Sequence, residues 1–223
     1  MNTLRSTSLL FAILFLSASA VAAQDLSKYR TFSLGSSVES VLKQTSMKTT
    51  DVKALHEHPA LIQELTWWPP AGPGVAHRSD TAQQILFSFY NGELYKISVT
   101  YDRSAIEGLT EADMVQSLSG KYGAPTKAST ESKLLGKNYS DTNSTIFATW
   151  ENEQSSLSLV HAYTDEFALL VVSKALGAQA EVAIAESAKL EEQQRPEKEA
   201  ELRKKEAGEL DTTRQKNKKS FQP

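Results

Sequence analysis

The sequence predicts an α+β protein: an antiparallel sheet built from two similar helix-strand-strand-strand units with the helices on one face, plus a charged C-terminal helical tail. Three observations carry this. The run from Ile85 to Tyr101, ILFSFYNGELYKISVTY, sets two β-rich stretches about Asn91-Gly92 and reads as a hairpin. Two boxes of the form Ser/Thr-x-x-acid, beginning at Ser36 and Thr110, each open a short apolar-periodic stretch that precedes strand-like runs. From Gly177 onward ten acidic and ten basic side chains accompany a single aromatic residue, Phe221, which is too little apolar surface for a core.

The chain begins with a targeting pattern. Arg5 supplies a positive n-region, Leu9 to Leu16 an apolar h-region, and Ala20 to Ala23 small residues suited to a signal peptidase. Residues 1–23 are therefore read as a signal peptide, with cleavage before Ala23 or Gln24. No later apolar run reaches the length of a membrane span, so no transmembrane segment is expected in the mature chain. Cysteine is absent, which excludes a disulfide framework, a thiol nucleophile, a cysteine-ligated metal and a lipoprotein anchor. An exported chain held by its core alone favours a bacterial origin and a periplasmic or secreted location.

The domain is placed at residues 24–176, with units at about 32–103 and 106–174, and the tail at 177–223. In the first unit, Ser36 is expected to cap a helix ending near Met47, with Val38, Val41 and Leu42 as its apolar face. Ile62 to Trp68 reads as a strand stopped by Pro69-Pro70-Ala71-Gly72-Pro73-Gly74. The hairpin follows. Ile85, Phe87 and Phe89 share a face with Tyr95, Ile97, Val99 and Tyr101 only if an odd number of residues closes the loop. Tyr90-Asn91-Gly92 is the expected three-residue loop, with Gly92 at positive φ, Phe89 opposite Glu93 and Phe87 opposite Tyr95; Asn91-Gly92-Glu93 is the alternative.

The second unit opens at Thr110-Glu111-Ala112-Asp113, presents Val115, Leu118 and Tyr122, and stops at Gly123 and Pro125. Strands are expected at Thr145 to Glu151, Ser156 to Tyr163 and Glu166 to Ser173. Cap Ser36 maps onto cap Thr110 and Glu93 onto Glu166 at nearly the same offset, which points to an internal repeat sharing one sheet. In the tail, Ala178 to Gln194 should be helical, Pro196 should interrupt it, and Glu199 with Arg203 and Glu201 with Lys205 should support a further solvated stretch.

This order of a capped helix and a three-stranded meander, written twice behind an export signal and with the Gly123-Ala124-Pro125 helix exit, resembles the tandem α/β architecture of the β-lactamase-inhibitor-protein-like and BamE-like envelope proteins. The likeness covers roughly residues 32 to 174. The missing lipobox cysteine departs from the BamE-like lipoproteins and the missing disulfides from the inhibitor proteins. What the resemblance implies is an exported binding module.

The chemical inventory points the same way. His56-Glu57-His58, with His77 or His161, has no third ligand at a recognised metal spacing. Neither a Gly-x-Ser-x-Gly elbow nor a phosphate loop is present. Glu107, Glu111 and Asp113 crowd a helix start, where the dipole favours negative charge. No catalytic residue, metal ligand or cofactor is assigned. The residues singled out for binding are Trp67 and Trp68, because adjacent strand residues face opposite ways and only one enters a one-sided core. With 24 basic against 27 acidic side chains and a net charge of −3, nucleic acid is not an expected partner. The expectation is an exported non-catalytic binding or scaffolding protein whose partner is another protein or an envelope component. The alternative is an envelope-polymer hydrolase, and a third reading makes the tail the active part.

Overall fold

In the computed structural model, residues 25–70, 81–130, 145–162 and 166–220 are described. The signal-peptide reading, His77, and the proline-rich loop beyond Pro70 fall outside them. A short ribbon, β1 (Lys28–Tyr29) and β2 (Phe32–Ser33), precedes α1 (Val38–Thr45) and a meander of β3 (Lys53–His56), β4 (Ile62–Trp67), β5 (Ala82–Tyr90) and β6 (Glu93–Tyr101). After the single turn α2 (Arg103–Ile106), a helix and a meander recur: α3 (Glu111–Tyr122), β7 (Lys127–Thr130), β8 (Thr145–Glu151), β9 (Ser155–Ala162) and β10 (Glu166–Ser173). A 47-residue helix, α4 (Lys174–Ser220), follows.

The eight longer strands form one sheet in the order β3-β4-β5-β6-β10-β9-β8-β7, antiparallel throughout. Each helix is thus followed by four strands rather than three, and the two meanders join through their last strands, β6 and β10. The additional strands, β3 and β7, are the sheet edges. They are four residues long and, as edges, are paired on one side only. β7 carries a weak β pattern, and β3 opens on a lysine and breaks register before His56, both ordinary ways of blunting an edge.

Helix caps explain where the helices begin. Thr110 and Asp113 form the expected reciprocal box: the Thr110 side chain accepts from the Asp113 amide at 3.2 Å, and Asp113 accepts from the Thr110 amide at 2.8 Å. The Thr110 hydroxyl, donating to Asp113 Oδ2 at 2.6 Å, and then the Thr110 amide favour the ionised carboxylate and hold the Asp113 pKa below its ordinary value. In the first unit the cap is Ser37, not Ser36, and its hydroxyl accepts from the Ser40 amide. Ser36 is occupied otherwise, because its carbonyl accepts from the Leu94 amide at 2.9 Å, which pins the helix entry to the hairpin. α1 stops at Thr45, with Ser46 left-handed.

The hairpin closes differently from the parity argument. Tyr90 pairs with Glu93, so Asn91-Gly92 is a two-residue turn, with φ of 49° and 84°. Positive φ at both central residues is the geometry that Asn-Gly supplies best. Phe89 then lies opposite Leu94 and Ser88 opposite Lys96, leaving Tyr95 as the extra residue of a β-bulge. The bulge restores parity: Phe87 faces Ile97 and Ile85 faces Val99, all fully buried. Leu94 takes the core position that Tyr95 was expected to fill, and Tyr95 turns to the opposite face.

Both faces of the sheet are used. On one, α1 and α3 cover Leu65, Ile85, Phe87, Phe89, Ile97, Leu159, Leu169 and Trp150. Each of these large side chains contributes roughly 1.5–3 kcal/mol on burial. The Trp150 indole donates to the Gly123 carbonyl at 2.8 Å, tying the α3 exit to β8. On the other face the first turns of α4 pack over Ile62, Tyr95 and Ala60 through Ala180 and Ala183, with Leu176, Ile184 and Tyr90 alongside. Gly177 permits this approach, since a Cβ there would come within 3.0 Å of Val172 Cγ1. The tail is therefore part of the domain as far as Ser187, and every residue from 188 to 220 is exposed. The expected interruption at Pro196 does not occur, because α4 runs through it. Pro196 leaves the Glu192 carbonyl without its helical donor, but at this exposed position water can satisfy it, and strong helix formers flank the proline.

Candidate binding surface

The face shared with α4 is organised by cross-strand rows. The row nearest α4 runs Glu64–Ser88–Lys96–Val172–Ser156–Glu151 across β4, β5, β6, β10, β9 and β8. It is the charged border of the face. Ser88 donates to Glu64 at 3.3 Å. Burial pushes the Lys96 amine below the ordinary lysine value, opposed by the carboxylates of Glu64 and Glu181. At the other end Glu151 accepts from Lys127 at 2.7 Å and Lys174 at 2.9 Å, and those two hydrogen bonds hold its pKa at about 2.

The next two rows are of another kind. Thr66–Leu86–Ser98–Leu170–Ser158–Thr149 is followed by Gln84–Thr100–Ala168–Val160–Ile146, on the same face because both rows are in register with the first. Neither row contains a charged residue. Apart from buried Ser98 and Val160, their side chains are half-buried, and α4 passes over the other end of the face. The Thr149 and Ser158 hydroxyls share a hydrogen bond at 3.1 Å. The Ser98 hydroxyl, only 4% exposed, has no hydrogen-bond partner among the described residues, and leaving such a group unmade costs about 1–3 kcal/mol. The surface thus joins aliphatic area to hydroxyls that accept or donate without bringing charge.

Trp67 and Trp68 divide as their adjacency requires. Trp67 packs against the helical-face core and meets Phe32 edge-on at 5.7 Å between ring centroids. Trp68 points out, 56% exposed, at the end of β4. It is the one aromatic among the exposed large apolar side chains described.

The histidines are spread apart. His56 Nδ1 lies 3.2 Å from a Glu191 carboxylate oxygen on α4. The His58 carbonyl accepts from the Ser187 hydroxyl. His161 meets Phe147 and Phe167 at tilted angles, with ring centroids at 5.7 and 5.5 Å. Among the described residues, no three His, Asp or Glu side chains converge as a metal site would require. None of the described helices is long and apolar enough to cross a membrane.

The residues that build the fold coincide with a recognised family: the model of the TP0088 domain matches residues 27–172. The chain belongs to the TP0088 domain family. The TP0088 match takes in both helix-plus-meander units and all three rows of the sheet face, and it ends at Val172, before α4 begins. Comparison with curated proteins and with solved structures returned no significant match.

The neutral rows were not named from the sequence, although Ser98 and Thr100 on β6 and Ser158 on β9 alternate with core residues in plain sight. Their continuity across six strands depends on long-range pairing, above all β6 with β10, which local patterning does not specify.

Proposed function

We propose that this TP0088 domain protein is an exported, non-catalytic binding or scaffolding protein of the cell envelope or extracellular space. Its partner is a protein presenting an uncharged contact surface. One observation carries the reading: eleven consecutive positions in two cross-strand rows hold no charge and stay largely half-exposed on a sheet whose other face is filled. A charged ligand placed there would lose water without gaining a counter-charge, whereas an uncharged partner buries Leu86, Leu170 and Ile146 and bonds to hydroxyls beside them. The half-buried Thr100 and Ser158 hydroxyls are such groups.

Further support comes from how nearby titratable groups are engaged. Glu151 is held ionised by two lysines, Glu64 bonds Ser88, and His161 sits among rings, so each has a structural role already. The pattern at Arg5, Leu9 to Leu16 and Ala20 to Ala23 supports export. The helix-then-meander order, present twice, agrees with the likeness to β-lactamase-inhibitor-protein-like and BamE-like envelope proteins in element order, while the fourth strand of each meander departs from it.

The test is affinity capture from envelope extract with the wild-type chain and with Ser158→Lys/Ala168→Lys, which places two charges on the neutral rows. The partner should be lost with the variant while its thermal midpoint stays near wild type. Equal capture by both proteins refutes the surface assignment.

A further inference from the structure

The distal half of α4 takes no part in the fold. Burial on this helix is confined to Gly177, Ala180, Ala183 and Ser187, and residues 188 to 220 are all exposed. Its charge is nevertheless sorted. Residues 174–201 hold seven acidic and four basic side chains, whereas 202–220 hold three acidic and seven basic, a net +4. The domain from 25 to 173 is acidic, with 17 acidic against 12 basic side chains.

Three of those seven cations also share one side of the helix with an exposed leucine. Arg203, Ala207, Leu210, Arg214 and Lys218 recur at spacings of four, three, four and four residues and so lie along one stripe. Leu210 in its middle is 71% exposed. Glu209 falls on the far side, Glu206 flanks the stripe three residues from Arg203 and four from Leu210, and Asp211 on the other flank accepts from Gln215 at 2.9 Å. A helix end favours cations in its last turn, which accounts for Lys218 and Lys219 but not for Arg203 or Arg214, which lie further back.

We infer that this stripe docks the protein on a lipid surface bearing anionic phospholipids, with Arg203, Arg214 and Lys218 on headgroup phosphates and Leu210 at the acyl boundary. An acidic domain is repelled by such a surface, so the basic residues work only if they are held away from it. At about 1.5 Å per residue, α4 places Arg214 roughly 40 Å beyond Ser187, several times the Debye length of about 8 Å at physiological salt. The helix is therefore a spacer that keeps the domain's negative charge out of range. Each cation near the surface contributes modestly, so the attachment is reversible and salt-sensitive. This inference is independent of what the sheet face binds.

The test is co-sedimentation of the full chain with phosphatidylcholine vesicles and with vesicles containing phosphatidylglycerol. Binding should require phosphatidylglycerol and disappear in high salt. Arg203→Glu/Arg214→Glu/Lys218→Glu should lower the partition coefficient roughly a hundred-fold or more. Leu210→Ser should lower it less, and Glu209→Gln on the far side should not lower it. All are exposed positions, and circular dichroism verifies that the helix persists. Equal binding of the triple variant, equal binding to phosphatidylcholine, or no vesicle binding by the wild type overturns the inference, as does binding to heparin in place of vesicles.

Discussion

Phe89 lies opposite Leu94 across the β5–β6 hairpin, and the next core pair, Phe87 with Ile97, is reached only because Tyr95 is inserted between them as a bulge. That one residue joins the two faces of the protein. Without it, Ile97 and Val99 would point away from Phe87 and Ile85; with it, Tyr95 becomes the anchor on which α4 rests. Gly92, at a φ of 84°, closes the turn that the bulge corrects. A Cβ at Gly92 would meet no atom within 4 Å, so the penalty for Gly92→Ala is conformational. It should cost about 1 kcal/mol, read as a lower urea midpoint at unchanged slope.

Removal of α4 separates its two halves. A chain ending at Gln194 should melt within about 2 °C of the full chain, since none of the described residues beyond Ser187 is buried. A chain ending at Ser173 uncovers Ile62 and Tyr95, at roughly 1.5–3 kcal/mol each, and should melt roughly 10 °C lower or more. Differential scanning calorimetry on both truncations distinguishes a docked helix from a mere appendage.

Glu151 provides a pH signature. Its folded-state pKa of about 2 lies below the ordinary carboxylate value near 4.5, so its contribution is present above that value and is lost as pH falls from there towards 2. Glu151→Gln should therefore destabilise at pH 7, by up to about 1 kcal/mol for so exposed a network, and should match wild type near pH 2. Urea titrations across that window give the difference directly. A gap between the two proteins that does not narrow on acidification contradicts the assignment to Lys127 and Lys174.

The two tryptophans should part company on substitution. Trp67→Ala removes the edge contact with Phe32 and core packing and should cost about 2–4 kcal/mol, whereas Trp68→Ala at an exposed site should stay within about 0.5 kcal/mol. Denaturant unfolding of the pair measures both.

What the sequence disclosed follows from range. The Thr110 box, the Gly123 stop and strands Thr145 to Glu151 and Glu166 to Ser173 rest on neighbouring residues and appear in the structure where local chemistry places them. The hairpin's parity failed because it assumed a regular ladder, and a bulge adds a residue that no alternation pattern reveals. The docking of α4 was hidden for a different reason. Gly177, Ala180, Ala183 and Ser187 lie at helical spacing, yet they bring the helix close by being small rather than apolar, so hydrophobic periodicity does not register them. Trp67 and Trp68 were legible because adjacency on a strand decides their faces. The neutral rows needed the β6–β10 junction, a pairing of residues about 70 positions apart in sequence.

The most direct test of the sheet face is site-specific photo-crosslinking in the exporting cell, with the photoreactive residue placed in turn at Ser158, Thr100 and, as a control on the helical face, Glu111. Ser158 and Thr100 should yield the same protein adduct, suppressed by Leu170→Lys, while Glu111 yields none. Adducts of equal strength at Glu111, or no adduct at either row position, would contradict a partner-binding face on the uncharged rows.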